Sequence, residues 1–271
     1  MEEVKSFILN LSLSHEQLYL FMLSFSLWWV VYSFVHFFVK INNKTLLKIL
    51  DTKNRIVSII HGSYCIFASF IDIFINKTDK CGYENSDFQN TFMLISCSYF
   101  LYDMIACIVL KISNLPMFFH HMSCIFGMYT SVYYNSSATE IIRAILVAEV
   151  TNPIMHLREI FKNYDLGKTK FYLLLDLIFM GLYIISRLVF GLPVIMLTVF
   201  CEGNLILVKI TGAFIWLQSV FFTYKMISIL KFRYAEYKER SEKNIQLWWF
   251  EHNKQIDDME VYKKKAKTYV P

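Results

Sequence analysis

The chain of 271 residues is 56% hydrophobic and 17% aromatic but only 18% charged, with a formal net charge of +5 and just 8 Gly and 4 Pro. A soluble domain of this length has too little interior for so many apolar side chains, and a disordered chain would show few aromatics and a dominant charge, so both classes are excluded. Leu, Ile and Phe recur in blocks of about twenty residues, the length a helix needs to cross roughly 30 Å of hydrocarbon, which identifies a polytopic membrane protein.

Seven such blocks follow one another: Leu18 to Val39, Ile56 to Ile75, Thr91 to Leu110, Met117 to Tyr134, Ile141 to Phe161, Phe171 to Val199 and Leu205 to Leu230. None alternates apolar and polar residues over about ten positions, as a lipid-facing barrel strand would. The expected fold is therefore all-α with seven transmembrane helices. The first block reads as an anchor and not a cleavable signal, because its apolar core is long, the residues before it are not basic, and Trp28 and Trp29 sit in its middle. After the last block, Lys231 to Pro271 turns charged and carries Leu247, Trp248, Trp249 and Phe250, then Lys263, Lys264, Lys265 and Lys267. That order suits a segment lying on an anionic membrane surface, or equally a solvated tail.

Lys and Arg in the connections set the expected orientation. Alternate connections hold 3 on one side and 19 on the other, the basic side including Lys40, Lys44, Lys48, Lys53, Arg55, Lys111, Lys162, Lys168, Lys170 and the C-terminal segment. The N-terminus is therefore expected to be lumenal and the C-terminus cytosolic. Of four Asn-x-Ser/Thr triplets, Asn10, Asn76 and Asn135 fall on the lumenal side and Asn43 on the cytosolic side, with Asn76 the useful probe. Cys81 and Cys201 lie in two lumenal connections and pair if the folded distance allows; no Cys-x-x-Cys pattern suggests zinc or another metal.

Ionisable side chains cost at least about 2.5 kcal/mol at the centre of a spanning helix, so those retained there usually face a cavity or each other. Measured by helical rise from the cytosolic end of each block, His61, Asp103, His120, His121, His156 and Asp176 share a layer roughly 6 to 12 Å deep. Glu149 and Arg187 lie near mid-membrane, at similar depth, and are ion partners if their helices touch. Asn114-Leu115-Pro116 reads as a helix start, which puts His120 and His121 near the positive end of a helix, where neutral imidazole is favoured. That suits a base, a nucleophile or a hydrogen-bonded structural pair. Glu149, Asn152 and His156 share one face, and Pro153 frees the carbonyl of residue 149, making a polar notch; Pro193 does the same for Val189. Asp72 and Arg158, close to block ends, are expected to snorkel.

Asn54-Arg55-Ile56-Val57-Ser58 with His61, Tyr99-Phe100-Leu101-Tyr102-Asp103, Phe119-His120-His121-Met122-Ser123, and Glu149-Val150-Thr151-Asn152-Pro153 with Arg158 resemble the TLC domain (TRAM, longevity-assurance and ceroid-lipofuscinosis homology) in order and spacing. The resemblance covers about Lys40 to Tyr237. It implies a six-helix barrel-like bundle around a cavity in the second to seventh spans, with residues 1–39 contributing a lumenal N-terminus and an added outer helix, residues 40–237 the TLC domain, and residues 238–271 a cytosolic charged tail. Ceramide synthases are the catalytic branch of that family and carry paired histidines, which His120 and His121 match. Their motif continues with His-Asp and a further Asp, where this chain has Ala148-Glu149 and Asn152. The Glu-x-x-x-Pro form is similar to the non-synthase TLC-domain-containing proteins.

The resemblance implies a lipid-handling protein, in the endoplasmic reticulum or another endomembrane, with the mitochondrial inner membrane as the alternative. Candidate catalytic residues are His120, His121 and Asp103, acting on an acyl thioester; candidate cavity residues are His61, Glu149, Asn152, His156 and Arg187. Acyl-CoA or a bound phospholipid is the expected small molecule, with no resident cofactor, and membrane lipids and a membrane protein are the expected partners, with no nucleic acid. The alternative function is a non-catalytic cargo receptor or a structural subunit of a larger membrane assembly.

Overall fold

The computed structural model describes residues 13–41, 44–77, 81–112 and 115–268, and the side chains up to residue 264. Asn10, Asn43 and Asn114, and the side chains of Lys265 and Lys267, lie outside the described residues. Among those described, all regular structure is helical, joined by a single isolated bridge between Glu84 and Ser136.

Helix α1 (His15–Phe38) starts at a capping box in which Ser14 and Gln17 satisfy each other's backbone amides. It packs on α2 (Leu46–Phe70) and α3 (Asp87–Val109), with the Trp28 indole donating to the Ile95 carbonyl at 3.3 Å. Its other faces expose Phe34, Phe37 and Phe38, as expected of a helix outside the bundle. The chain continues through α4 (Leu115–Tyr133), α5 (Ala138–Glu149), α6 (Asn152–Asn163), α7 (Lys170–Tyr183), α8 (Gly191–Phe200), α9 (Ile206–Glu242) and α10 (Glu260–Thr268).

Five helical stretches are long and apolar enough to cross a bilayer: His15–Phe38, Leu46–Ile75, Asp87–Val109, Lys170–Phe200 and Ile206–Glu242. The protein is thus a multi-pass membrane protein. The other two apolar blocks are helical but differ from expectation. Helix α4 has 19 residues and carries His120, His121, Ser123, Thr130 and Ser131, which lowers its hydropathy. The block Ile141 to Phe161 is not one helix: it stops at Glu149 and restarts at Asn152. Pro153 has no N–H for the Glu149 carbonyl and its ring crowds that carbonyl, which ends α5 where it does. Upstream of Pro193, Ile184–Phe190 takes up a wider π-helical turn between α7 and α8, a local way to reset a helix whose hydrogen-bond ladder a proline interrupts.

Counting α5 with α6 and α7 with α8 as single interrupted runs, successive helical runs reverse direction, so alternate connections gather at two ends. At one end Cys81 and Cys201 form a disulfide across a Cα–Cα distance of 6.3 Å, as their placement in the sequence allowed. Gly82 (φ +68) lies beside it; a Cβ there would come within 2.6 Å of the Gly203 backbone, so this crossing admits only glycine. Asn85 ties the same end together, donating to the Ser131 carbonyl at 2.9 Å and accepting the Ala138 amide at 3.0 Å. Gln89 reaches Asp72 at 3.1 Å and Thr139 at 3.3 Å. Asp72 is therefore buried and hydrogen-bonded, not snorkelling; the π-helical turn Ile71–Ile75 that ends α2 carries it.

At the opposite, basic end, Asp165 accepts Lys44 and Lys48, and Asn163 donates to Asp51 at 2.7 Å and Thr52 at 3.1 Å. The segment after α9 folds back instead of trailing away. Leu247, Ile256 and Met259 form a small core with Leu173 and Tyr262, and the amides of Lys170 and Phe171 donate to the carbonyls of Trp248 and Trp249. Trp248, Trp249 and Phe250 remain exposed around it.

Candidate functional site

Helices α4, α5, α8 and α9 leave a cleft between them, about 860 Å³ with the open space at its mouth counted in. Its middle is apolar, walled by Ile141, Ile145, Val194, Ile195, Val208 and Ile215, while His120, Glu149, Arg187 and Ser219 line one end and Glu140 and Thr198 the other. From Val208 to Ser219 along α9 is roughly 16 Å by helical rise, so the hollow is elongated along the bundle. It exists because the two interrupted helices face each other there. The last turn of α5 leaves carbonyls without amide partners, and the π-helical turn supplies donors: Ser186 Oγ donates to the Val147 carbonyl, and Arg187 Nη2 to the Ala148 carbonyl at 2.7 Å. Arg187 and Glu149 share the cleft, yet the short contacts of Arg187 go to that carbonyl and to Ser219 Oγ at 3.5 Å, so the expected direct ion pair with Glu149 is replaced by a helix cap. Glu149 instead packs on Gly62, where a Cβ would sit 3.2 Å from its Oε2, and lies within hydrogen-bonding reach of Asn152.

His120 takes a defined tautomer from its neighbours. Gln218 Nε2 donates to the Pro116 carbonyl at 2.6 Å, which turns Gln218 Oε1 toward His120 Nδ1 at 3.1 Å. A carboxamide oxygen can only accept, so Nδ1 carries the proton and Nε2 the lone pair. Nε2 lies 3.7 Å from Cys124 Sγ, which also lines the cleft. Helix α4 is described from Leu115, with Pro116 beside it.

His121 faces away from the cleft toward α3. Its Nε2 is 3.3 Å from Asp103 Oδ2, and Asn54 Nδ2 donates to Asp103 Oδ1 at 2.7 Å. Tyr102 Oη in turn donates to Asn54 Oδ1 at 2.8 Å, closing a buried chain from α4 through α3 to α2. Phe100 connects the two layers: it lines the cleft, and its ring centroid lies 6.3 Å from that of His120, 5.8 Å from His121 and 5.4 Å from His61. His61 is stacked on Tyr99 at 3.6 Å and edged by Trp28 at 5.6 Å, behind Phe100 from the cleft. His156 sits by Arg55, with Nδ1 at 3.5 Å from its Nη1.

The expected shared layer therefore divides. His120 and Glu149 line the cleft; His61 and His121 lie behind it against Phe100, with Asp103 on His121; Asn152 lies by Glu149 and His156 by Arg55; and Asp103, His121 and Glu149 are buried within the bundle. Asp176 does not join them: it pairs with Arg158 at 3.0 Å and Arg233 at 2.7 Å, in a separate cluster that includes Glu236. Arg158 is thus a largely covered ion-pair partner and not a snorkelling side chain. Gln218, Trp216 and Glu140 are site residues that the sequence reading did not single out, and Asn54, Phe100 and Tyr102 entered it only as parts of the segments that resemble the TLC domain. Gln218 had a visible signal, a carboxamide inside an apolar block; Glu140 fell just outside the block beginning at Ile141, where it read as connection. Among the described residues no group of three or more His, Cys, Asp and Glu could hold a metal ion.

A family model for the TLC domain matches residues 51–232, which spans α2 to most of α9 and includes every residue of the cleft. The chain belongs to the TLC domain family. It is similar to a TLC domain-containing protein of Arabidopsis thaliana, 28% identical over 131 residues, covering 47% of this chain and 50% of the relative. It is also similar to TLC domain-containing protein 2 of Danio rerio, 27% identical over 106 residues, covering 38% of this chain and 43% of the relative. The chain thus matches about half the length of these curated relatives, and they carry the TLC-domain name, not that of a ceramide synthase. No solved structure matches.

Proposed function

We propose that this TLC domain protein handles lipid in an endomembrane, its cleft holding the acyl chain of a membrane lipid. The observation that carries this reading is the cleft itself, apolar along its middle, with His120, Glu149 and Arg187 together at one end. Ligand cavities combine apolar walls with a few polar groups that orient the occupant. A molecule with a greasy tail and a polar linkage fits that distribution. In this reading all seven apolar blocks cross the bilayer, the N-terminus is lumenal and the C-terminus cytosolic. The excess of Lys and Arg at one end and the disulfide at the other both support that orientation, since disulfides persist in oxidising compartments.

A catalytic form of the reading assigns the chemistry to His120. Its unprotonated Nε2 lies at the cleft, so it would serve as nucleophile, taking the acyl group of a thioester as the thiolate leaves, or as base, taking the proton of an acceptor hydroxyl or amine that attacks the same carbonyl and passing it to the departing thiolate, with His121 held by Asp103 beside it. The test is complementation of a knockout with wild type, His120→Ala and His121→Ala, followed by membrane lipid profiling. The catalytic form expects His120→Ala to lose complementation although the protein accumulates normally. Full complementation by both variants overturns it. Purification that yields a stable stoichiometric protein partner and an empty cleft would instead support a cargo receptor or structural subunit.

A further inference from the structure

Helix α4 turns His120, Ser123, Cys124, Gly127 and Met128 to the cleft, the i, i+3, i+4, i+7, i+8 face of one helix. On that face Cys124 stands one turn beyond His120, and its Sγ is 3.7 Å from His120 Nε2. Gln218 Oε1 accepts from Nδ1 at 3.1 Å, and Gln218 is itself held by the Pro116 carbonyl, so the lone pair of Nε2 is left for the Cys124 thiol. Thiol, imidazole and carboxamide form a relay of the kind that activates a nucleophile: an S–H beside a base whose far nitrogen is fixed by a third group.

Access separates this pair from the other one like it. His61 and Cys65 also lie four residues apart, with Sγ 3.2 Å from Nε2, but they are 1% and 0% exposed and sit behind Phe100. Cys97 and Cys107 are buried as well, so Cys124 is the one free cysteine among the described residues that keeps exposed surface. Its backbone is inside α4, so that surface belongs to Cβ and Sγ, and Cys124 lines the cleft. His120 is likewise only partly buried. Beyond Cys124, toward the disulfide end, the walls are Met128, Ile141, Ile145 and Val208, apolar surface for the chain of an acyl group attached at Sγ.

We infer that Cys124 is the acyl-accepting nucleophile of the cleft and His120 its base, with a long-chain acyl thioester as substrate. The Cys124 S–H proton passes to His120 Nε2 as Sγ bonds to the acyl carbonyl carbon. The carbon–sulfur bond of the incoming thioester then breaks, and the departing thiolate takes the proton back from Nε2. One thioester is exchanged for another, the imidazole ends neutral, and no redox partner is needed. This rests on the proposed lipid-handling role; it assigns the acyl-carrying atom to Cys124 and proton transfer to His120.

The full-length protein in detergent, incubated with alkyne-tagged palmitoyl-coenzyme A, denatured and coupled to a fluorophore, tests it. The chain should carry label that neutral hydroxylamine removes, since that reagent cleaves thioesters and spares oxyesters and amides. Peptide mass spectrometry of the unaltered protein should place the acyl group on Cys124 and on none of Cys65, Cys97 and Cys107. Cys124→Ala should lose the label, and His120→Ala should acquire it about a hundredfold more slowly, the contribution expected of a positioned base. Label on another residue, His120 included, or label that persists in Cys124→Ala overturns the assignment. An unchanged rate in His120→Ala overturns it too, because it marks spontaneous acylation of an accessible thiol. Binding of a radiolabelled palmityl thioether of coenzyme A, which has the chain and the head but no carbonyl, separates the two levels of the argument. If the thioether binds and no label forms, the acyl cavity stands and the nucleophile falls; if neither occurs, both fall.

Discussion

Replacing Asp176 by Asn should loosen the basic end of the bundle measurably. Asp176 is 1% exposed and holds two guanidinium groups from different helices, Arg158 of α6 at 3.0 Å and Arg233 of α9 at 2.7 Å. Arg158 approaches Oδ1 out of line for a hydrogen bond, so that contact is Coulombic, while Arg233 makes a directed one. Asn keeps the volume and removes the charge, leaving two cations facing each other. Breaking a buried pair by removing one partner costs about 3–5 kcal/mol. Glu236, 2.7 Å from Arg233, and Glu159, 3.1 Å from Arg158, still compensate in part, which places the expected loss near the lower figure. At roughly 2–4 °C per kcal/mol for a chain of this size, the unfolding midpoint should fall by about 6–12 °C. Tryptophan fluorescence during heating of the purified protein in detergent measures it, and the shift should persist at high salt because a buried pair is weakly screened. A midpoint within about 2 °C of the unaltered protein would falsify the claim that this cluster clamps α6, α7 and α9.

The remaining expectations concern the two ends and their orientation. Hydrogen bonds from Lys44 and Lys48 hold Asp165 below its ordinary carboxylate value of 3.8, so the contribution of this bridge is present above that pH and is lost as pH falls through the folded value. Amide exchange in the first turn of α2 should therefore lose protection, relative to pH 6, as the pH is taken progressively below 3.8, once intrinsic rates are divided out, and Asp165→Asn should remove that difference; identical profiles in both proteins would contradict the bridge. The Cys81–Cys201 disulfide closes a separation of 120 residues, and constraining so long a loop is worth up to about 4–5 kcal/mol. Reductant should shift gel mobility and lower the unfolding midpoint, and Cys201→Ser should abolish both responses; a chain indifferent to reductant in every form would exclude the pairing. Asn76 sits at the disulfide end, so endoglycosidase should shorten the expressed protein and Asn76→Gln should remove that sensitivity, whereas sugar on Asn43 would invert the proposed orientation.

Helix content and membrane class were legible because they depend on local composition: apolar blocks of spanning length have few alternatives in lipid. The grouping of alternate connections was also legible, through Lys and Arg, and the pairing of Cys81 with Cys201 fits that grouping. Pro153 and Pro193 marked where helices are interrupted, since a missing N–H acts at a fixed offset along the chain. The sequence read the consequence of Pro153 as a notch within one helix, while the structure breaks that helix in two.

Partner choice was not legible, because depth along an axis leaves rotation about that axis undefined. Asp176 stands at nearly the depth of Asp103, yet one faces Arg158 and Arg233 and the other His121. Arg187 stands near Glu149 in depth, yet its shortest bond is to the Ala148 carbonyl, a backbone group that no residue-type argument weighs. Residue types and spacing alone determined that this chain is a helical membrane protein with imidazoles and carboxylates inside its spans and a TLC-domain motif order. Only the packing of α4, α5, α8 and α9 decided that His120 lines a hollow while His121 turns to Asp103, because adjacent residues on a helix point about 100° apart and the neighbouring helices determine which direction is cavity and which is core.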